Sequence, residues 1–134
     1  MNIKETAKEI HEINKSKGFY DTEKNIGEML MLVVSEISEA LEADRQPIIS
    51  PVTGEEFNVT GRVKEYIDNL LKTDVTTFMS TFEEGIKNSF SDEIADAIIR
   101  LLDLAEYKNI DIEWHIRAKM NYNKNRPYKH GKKY

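Results

Sequence analysis

Two short stretches carry residue types and spacings that can do chemistry. The first is Val33-Val34-Ser35-Glu36-Ile37-Ser38-Glu39-Ala40-Leu41-Glu42. It sets Glu36 and Glu39 three residues apart, which makes them neighbours on a helix. The second is Asp92-Glu93-Ile94-Ala95-Asp96-Ala97-Ile98-Ile99-Arg100-Leu101-Leu102-Asp103. There Glu93, Asp96, Arg100 and Asp103 step by three, four and three along one helix face. Glu36 lies between Val33 and Ile37, at the margin of an apolar stripe of Leu30, Val33, Ile37 and Leu41 with Val34 beside it. A charge there is half turned toward an interior where an unpaired charge is expensive. Two helices that bring paired acids to a shared interior repel each other, and a divalent cation bound through oxygen relieves the repulsion.

The rest of the inventory narrows the ion and its ligand. The chain has no cysteine, and His11, His115 and His130 do not stand in the Glu-x-x-His spacing of a di-iron bundle. An all-carboxylate set selects a hard ion, Mg²⁺ or Mn²⁺. Magnesium commonly binds through carboxylates together with substrate phosphates. The run Lys119, Asn123, Arg126, Lys129 supplies phosphate donors, Arg126 with a bidentate geometry. One Glu-x-x-Glu pair would be unremarkable, because such pairs are common on solvated helix faces; the weight rests on two pairs at the edges of two apolar stripes. Arg100 reads as a structural partner for its neighbouring acids, Asp103 among them. Phe19, Tyr20 and Trp114 can stack on a base, although core packing is the simpler role for any one of them.

The elements that must position these groups are helices. Residues 2–17 keep a three-four spacing through Ile3, Ala7, Ile10 and Ile13 or Asn14. Gly18 suits the left-handed stop, and Asp21 or Thr22 can cap a second helix that runs to about Asp44. Residues 45–61 break the pattern with Pro47, Pro51, Gly54 and Gly61, and Ile48-Ile49 with Phe57-Asn58-Val59 predict a small hairpin around Thr53-Gly54. Val63, Ile67, Leu70 and Leu71 mark one short helix, and Phe78, Phe82 and Ile86, with Val75 and Met79, another. Ser89 or Ser91 caps the helix that holds the second acid set, Asn109 stops it, Asp111 caps a last helix, and Pro127 ends regular structure. The expected fold is all-α: an antiparallel helical bundle with an irregular insertion between the two acid-bearing helices.

The chain has 134 residues, 40% hydrophobic and 32% charged, which suits a single globular domain over 1–134. Net charge is −5, but seven of the 19 basic residues fall in 117–134, where there is no acid; residues 1–116 hold the other 12 against 24 acids. An acidic body with a basic end fits either a nucleic-acid arm or a phosphate clamp beside a metal site. The absence of cysteine fits a reducing, cytoplasmic compartment. No apolar run approaches the ~20 residues of a membrane helix, and Met1–Glu9 does not read as a signal peptide.

Taken in order, Glu36-Ile-Ser-Glu39, Asp92-Glu93-Ile-Ala-Asp96 and the tail Lys119-Met-Asn-Tyr-Asn123-Lys-Asn-Arg126-Pro-Tyr-Lys-His-Gly131 resemble the MazG-like all-α nucleoside triphosphate pyrophosphohydrolases. The likeness extends to Lys17-Gly18-Phe19 before the first acid helix. It implies that Glu36, Glu39, Glu93 and Asp96 bind Mg²⁺, or Mn²⁺, and that a nucleoside triphosphate is split into monophosphate and pyrophosphate. Glu36 or Glu39 would accept the proton of the attacking water. Lys119, Asn123, Arg126 and Phe19 would contact the substrate, and the assembly would be a homo-oligomer, dimer or tetramer. The stretch between the motifs, residues 40–92, is longer than in the simplest members. The alternative from another class is a non-catalytic helical binding protein that uses the basic tail for nucleic acid or a protein partner; for the pyrophosphohydrolase reading, nucleic acid is not an expected partner.

Overall fold

The computed structural model describes residues 2–49, 54, 59 and 61–128. Their regular structure is α1 (Ile3–Ser16), α2 (Ile26–Arg45), α3 (Gly61–Thr73), α4 (Val75–Gly85), α5 (Phe90–Tyr107) and α6 (Ile112–Lys124). The class is all-α. The expected hairpin depends on Thr53 and Phe57-Asn58, which lie outside the described residues. No helix among the described residues is long and apolar enough to cross a membrane.

Local chemistry sets the helix ends. Asn2 caps α1, its side-chain oxygen accepting from the Glu5 N–H at 3.2 Å. The spacing predicts a cap for α2 at Asp21 or Thr22, but Asn25 does that work, accepting from the Glu28 N–H at 3.1 Å. Asp21 belongs instead to the turn after α1. Gly18 sits at φ +82°, and a Cβ placed on it would meet the Asp21 carboxylate at 3.0 Å. The Asp21 N–H closes the turn on the Gly18 carbonyl at 3.2 Å. Ser89 opens α5 as expected: its Oγ accepts from the Asp92 N–H at 3.3 Å, and Asp92 accepts from the Asn88 N–H at 3.0 Å. Asn109, at φ +53°, ends α5, and Asp111 caps α6 by accepting from the Trp114 N–H at 3.1 Å. Asp74 caps α4 through both the N–H and the hydroxyl of Thr77, and these bonds hold its carboxyl below the usual carboxylate range.

The chain forms two compact units: Met1–Met29 with Ile99–Tyr134, and Leu30–Ile98. In the first, α1 packs on α6. The inward face of α1 is Ile3, Ala7, Ile10, His11 and Asn14, with Ala7 buried and Ile13 exposed, so the polar member of the expected Ile13/Asn14 choice turns inward. It does so because Asp103 is buried there. His11 Nδ1 stands 2.7 Å from one Asp103 oxygen, and Asn14 Nδ2 donates to the other at 2.8 Å. The sequence pairs Asp103 with Arg100; the fold brings His11 to one of its oxygens and Asn14 to the other. Tyr20 meets His11 edge-on with centroids 4.6 Å apart, and Tyr107 lies 5.4 Å from Tyr20. Burial, then the nearby Asp103 carboxylate, raise the Tyr20 phenol well above its usual range.

In the second unit, α3 packs on α4. Ile67 and Leu70 are buried, and Phe78 and Phe82 stand 6.0 Å apart. α2 departs from the expected orientation. Its buried face is Val33, Glu36 and Ala40, whereas Leu30, Val34, Ile37 and Leu41 are each 46% to 53% exposed. α5 repeats the inversion, burying Glu93 and Ala97 while Phe90, Ile94 and Ile98 stay open. The most apolar stripe of each helix is therefore not the one this chain covers.

Asp103→Ala leaves His11 and Asn14 facing a buried gap without their shared acceptor. It is expected to lower stability by about 3 kcal/mol, read as a lower denaturation midpoint in urea with an unchanged slope. A midpoint equal to wild type would show that the cluster does not hold α1 to α5.

Candidate metal centre

The centre is built from one turn of α2 and the first turns of α5, both within the second unit. Glu36, Glu93 and Asp96 each offer a carboxylate oxygen, and these oxygens lie within 4.8 Å of one another. Glu93 is 3% exposed and Glu36 7%. One turn beyond each stands a small buried residue, Ala40 on α2 and Ala97 on α5. The spacing suits one hard cation: oxygens around an octahedral Mg²⁺ lie about 3–4 Å apart at bond lengths near ~2.1 Å. The donor set, carboxylate oxygen alone, is the set such an ion prefers.

Electrostatics point the same way. The Glu93 carboxyl is pushed up to about 7. Burial is the main cause, followed by the charges of Glu39 and Glu36, a hydrogen bond with Glu36 that favours the protonated form, and Asp92. The raised Glu93 carboxyl favours a proton in the cluster well above the usual carboxylate range, and that proton offsets the repulsion as a cation would.

The other residues singled out by sequence are placed as follows. Glu39 is exposed, accepts from Ser35 Oγ at 3.2 Å, and stands outside the trio. It is still close enough that its charge ranks second among the causes that raise Glu93. Lys119 and Asn123 lie on α6, in the first unit. With Ile112, His115, Ile116 and Met120 they line a shallow, mostly apolar groove of about 300 Å³. Arg126 follows in the turn after α6, its N–H bonded to the Asn123 carbonyl at 3.2 Å. Phe19 is 60% exposed in the turn after α1. Lys129, His130 and Gly131 lie outside the described residues. Sequence reasoning missed the partners of Asp103. The signal was present in the spacing of Ala7, His11 and Asn14, but a histidine and an asparagine do not advertise an inward face.

Compared with protein-family profiles, curated proteins and solved structures, the chain matches none.

The raised Glu93 carboxyl gives a pH dependence with a definite sign. An unfolded glutamate titrates near ~4.5 and the folded one near 7, so between these values the folded chain holds the extra proton. Metal-free stability from this group is greatest below ~4.5, falls as pH rises, and levels off above ~7. Glu93→Gln removes that dependence. The variant should match wild type at pH 4.5 and exceed it by up to about 3 kcal/mol at pH 8, measured by denaturation after metal removal. A difference independent of pH would contradict the buried, repelled carboxyl.

Proposed function

We propose that this protein is a Mg²⁺-dependent nucleoside triphosphate pyrophosphohydrolase of the MazG-like kind, releasing nucleoside monophosphate and pyrophosphate. The observation that carries the reading is the meeting of Glu36 from the first acid motif with Glu93 and Asp96 from the second. Bound Mg²⁺, or Mn²⁺, supplies Lewis-acid neutralisation of the phosphates and a more acidic water. Glu36, Glu93 and Asp96 are the residues that would hold it. Glu39, exposed beside the trio, is the carboxylate free to accept the proton of that water; Glu36 is the less available of the two because it is buried in the cluster. Lys119 and Arg126 offset phosphate charge, Asn123 orients an oxygen or a sugar hydroxyl, and Phe19 stacks on the base. The cytoplasm, with its nucleotide pool and reducing poise, is the compartment that fits this activity and a chain without cysteine.

Two measurements test the reading. Mg²⁺ at ~100 times its dissociation constant should stabilise the protein by about 2.7 kcal/mol, visible as a rise in Tm. A panel of nucleoside triphosphates incubated with Mg²⁺ should yield pyrophosphate rather than phosphate. Glu39→Gln should cut that turnover by a factor on the order of 10² without lowering metal-free stability. No pyrophosphate from any nucleotide would leave the helical binding protein as the better reading.

We also propose a homo-oligomer, dimer or tetramer. The stripes Leu30, Val34, Ile37, Leu41 and Phe90, Ile94, Ile98 are exposed in one copy, and contiguous apolar area of this kind marks an interface. Ile37→Glu combined with Ile98→Glu should reduce the mass seen by light scattering to that of one chain; a wild-type protein that is already monomeric at micromolar concentration would refute the assembly.

A further inference from the structure

α6 and the turn after it carry an arrangement that the proposed reaction does not by itself require. The Lys119 ammonium lies 5.0 Å from the centroid of the Tyr122 ring, and the Arg126 guanidinium carbon lies 5.6 Å from the same centroid. Both are within the range in which the negative face of an aromatic ring attracts a cation. The sequence explains why one ring serves two charges. Lys119 precedes Tyr122 by three residues, one turn earlier on α6, and Arg126 follows in the turn that ends the helix, which brings it back to the same ring. The turn that ends α6 keeps Arg126 there: Asn125 N–H bonds to the Tyr122 carbonyl at 3.2 Å, Arg126 N–H to the Asn123 carbonyl at 3.2 Å, and Asn125 Nδ2 to the Asn121 carbonyl at 2.8 Å. Tyr122 is itself 60% exposed, so core packing does not account for it.

We propose that Tyr122 is a positioning residue that gathers Lys119 and Arg126 into a preformed clamp for an oligophosphate chain. Two long cationic side chains repel each other and, left alone, spread into solvent. The shared ring tethers the two cations 5.0 Å and 5.6 Å from one centroid, and such ordering lowers the entropy that an anion would otherwise have to overcome on binding. An anion that touches both charges also relieves their mutual repulsion. A chain of linked phosphates can reach both cations at once, with Arg126 forming bidentate contacts; a single phosphate engages the pair less well. The clamp names the part of the ligand that α6 recognises. It rests on the proposed function only for the statement that this oligophosphate belongs to a nucleotide.

The test separates the clamp from the reaction. The full-length protein is stripped of divalent metal and titrated calorimetrically with tripolyphosphate, and in parallel with orthophosphate. Wild type should bind tripolyphosphate at least tenfold more tightly than orthophosphate. Tyr122→Phe keeps the ring and should bind within twofold of wild type. Tyr122→Leu should weaken tripolyphosphate binding by roughly three- to tenfold while helix content, read by circular dichroism, stays unchanged. In the Mg²⁺-dependent reaction Tyr122→Leu should raise KM by a similar factor and leave kcat unaltered. Metal-free binding with this mutational pattern, in a protein that hydrolyses no nucleotide, supports the clamp and sinks only the pyrophosphohydrolase reading. No tripolyphosphate binding by wild type, or equal binding by Tyr122→Leu, overturns the clamp.

Discussion

The repulsion among Glu36, Glu93 and Asp96 is the constraint on which the second unit depends. Two of these carboxylates are almost fully withdrawn from water, and the oxygens of all three crowd into one small volume. Helices α2 and α5 bring those oxygens together, and positive charge placed there would lower their repulsion. The upward push on Glu93 shows one available supply, a proton drawn from solvent near neutral pH. A divalent ion is the stronger one. An arrangement that costs stability when empty of charge is what a binding site for a cation is expected to look like.

Helix α5 carries a second buried acid with a different solution. Asp103 has His11 on one oxygen and Asn14 on the other, at hydrogen-bond distances. The acid in this cluster is matched by donors from α1, whereas the trio brings together groups of like charge. Buried polar groups matched by donors specify packing. Two acids seven residues apart on one helix, Asp96 and Asp103, thus stand in different surroundings. His11 with Tyr20 and Tyr107 adds aromatic surface around the satisfied acid, which shields its hydrogen bonds from water.

A consequence of turning glutamate inward is that isoleucine and leucine turn outward. α2 and α5 each have two candidate inner faces, one richly apolar and one made of alanine, valine and glutamate. This chain covers the second. The first is left as a stripe of branched side chains in water, a state that association relieves. The basic end of the chain works on a different principle. Tyr122 collects Lys119 and Arg126 at the surface of α6, where charge need not be buried to be placed.

The sequence by itself determined the elements and the acids. Six helical segments follow from three-four apolar spacing, their stops from Gly18 and Asn109, and their caps from Ser89 and Asp111, because these are local effects of backbone and neighbouring side chains. The pairing of Glu36 with Glu93 and Asp96 was readable from two acid motifs at the edges of two apolar stripes. Which stripe faces inward was not, because hydrophobicity ranks Ile37 and Ile98 above Glu36 and Glu93, and only the fold, which buries both glutamates, reverses the order. The same holds for Asp103: its neighbour in sequence is Arg100, but its partners in space come from a helix about ninety residues away. Asn25 in place of Asp21 at the start of α2 is a smaller case, settled when the Gly18 turn engages Asp21 first. Local chemistry is written in order along the chain; the direction in which a helix faces is fixed only when a second helix arrives to cover it.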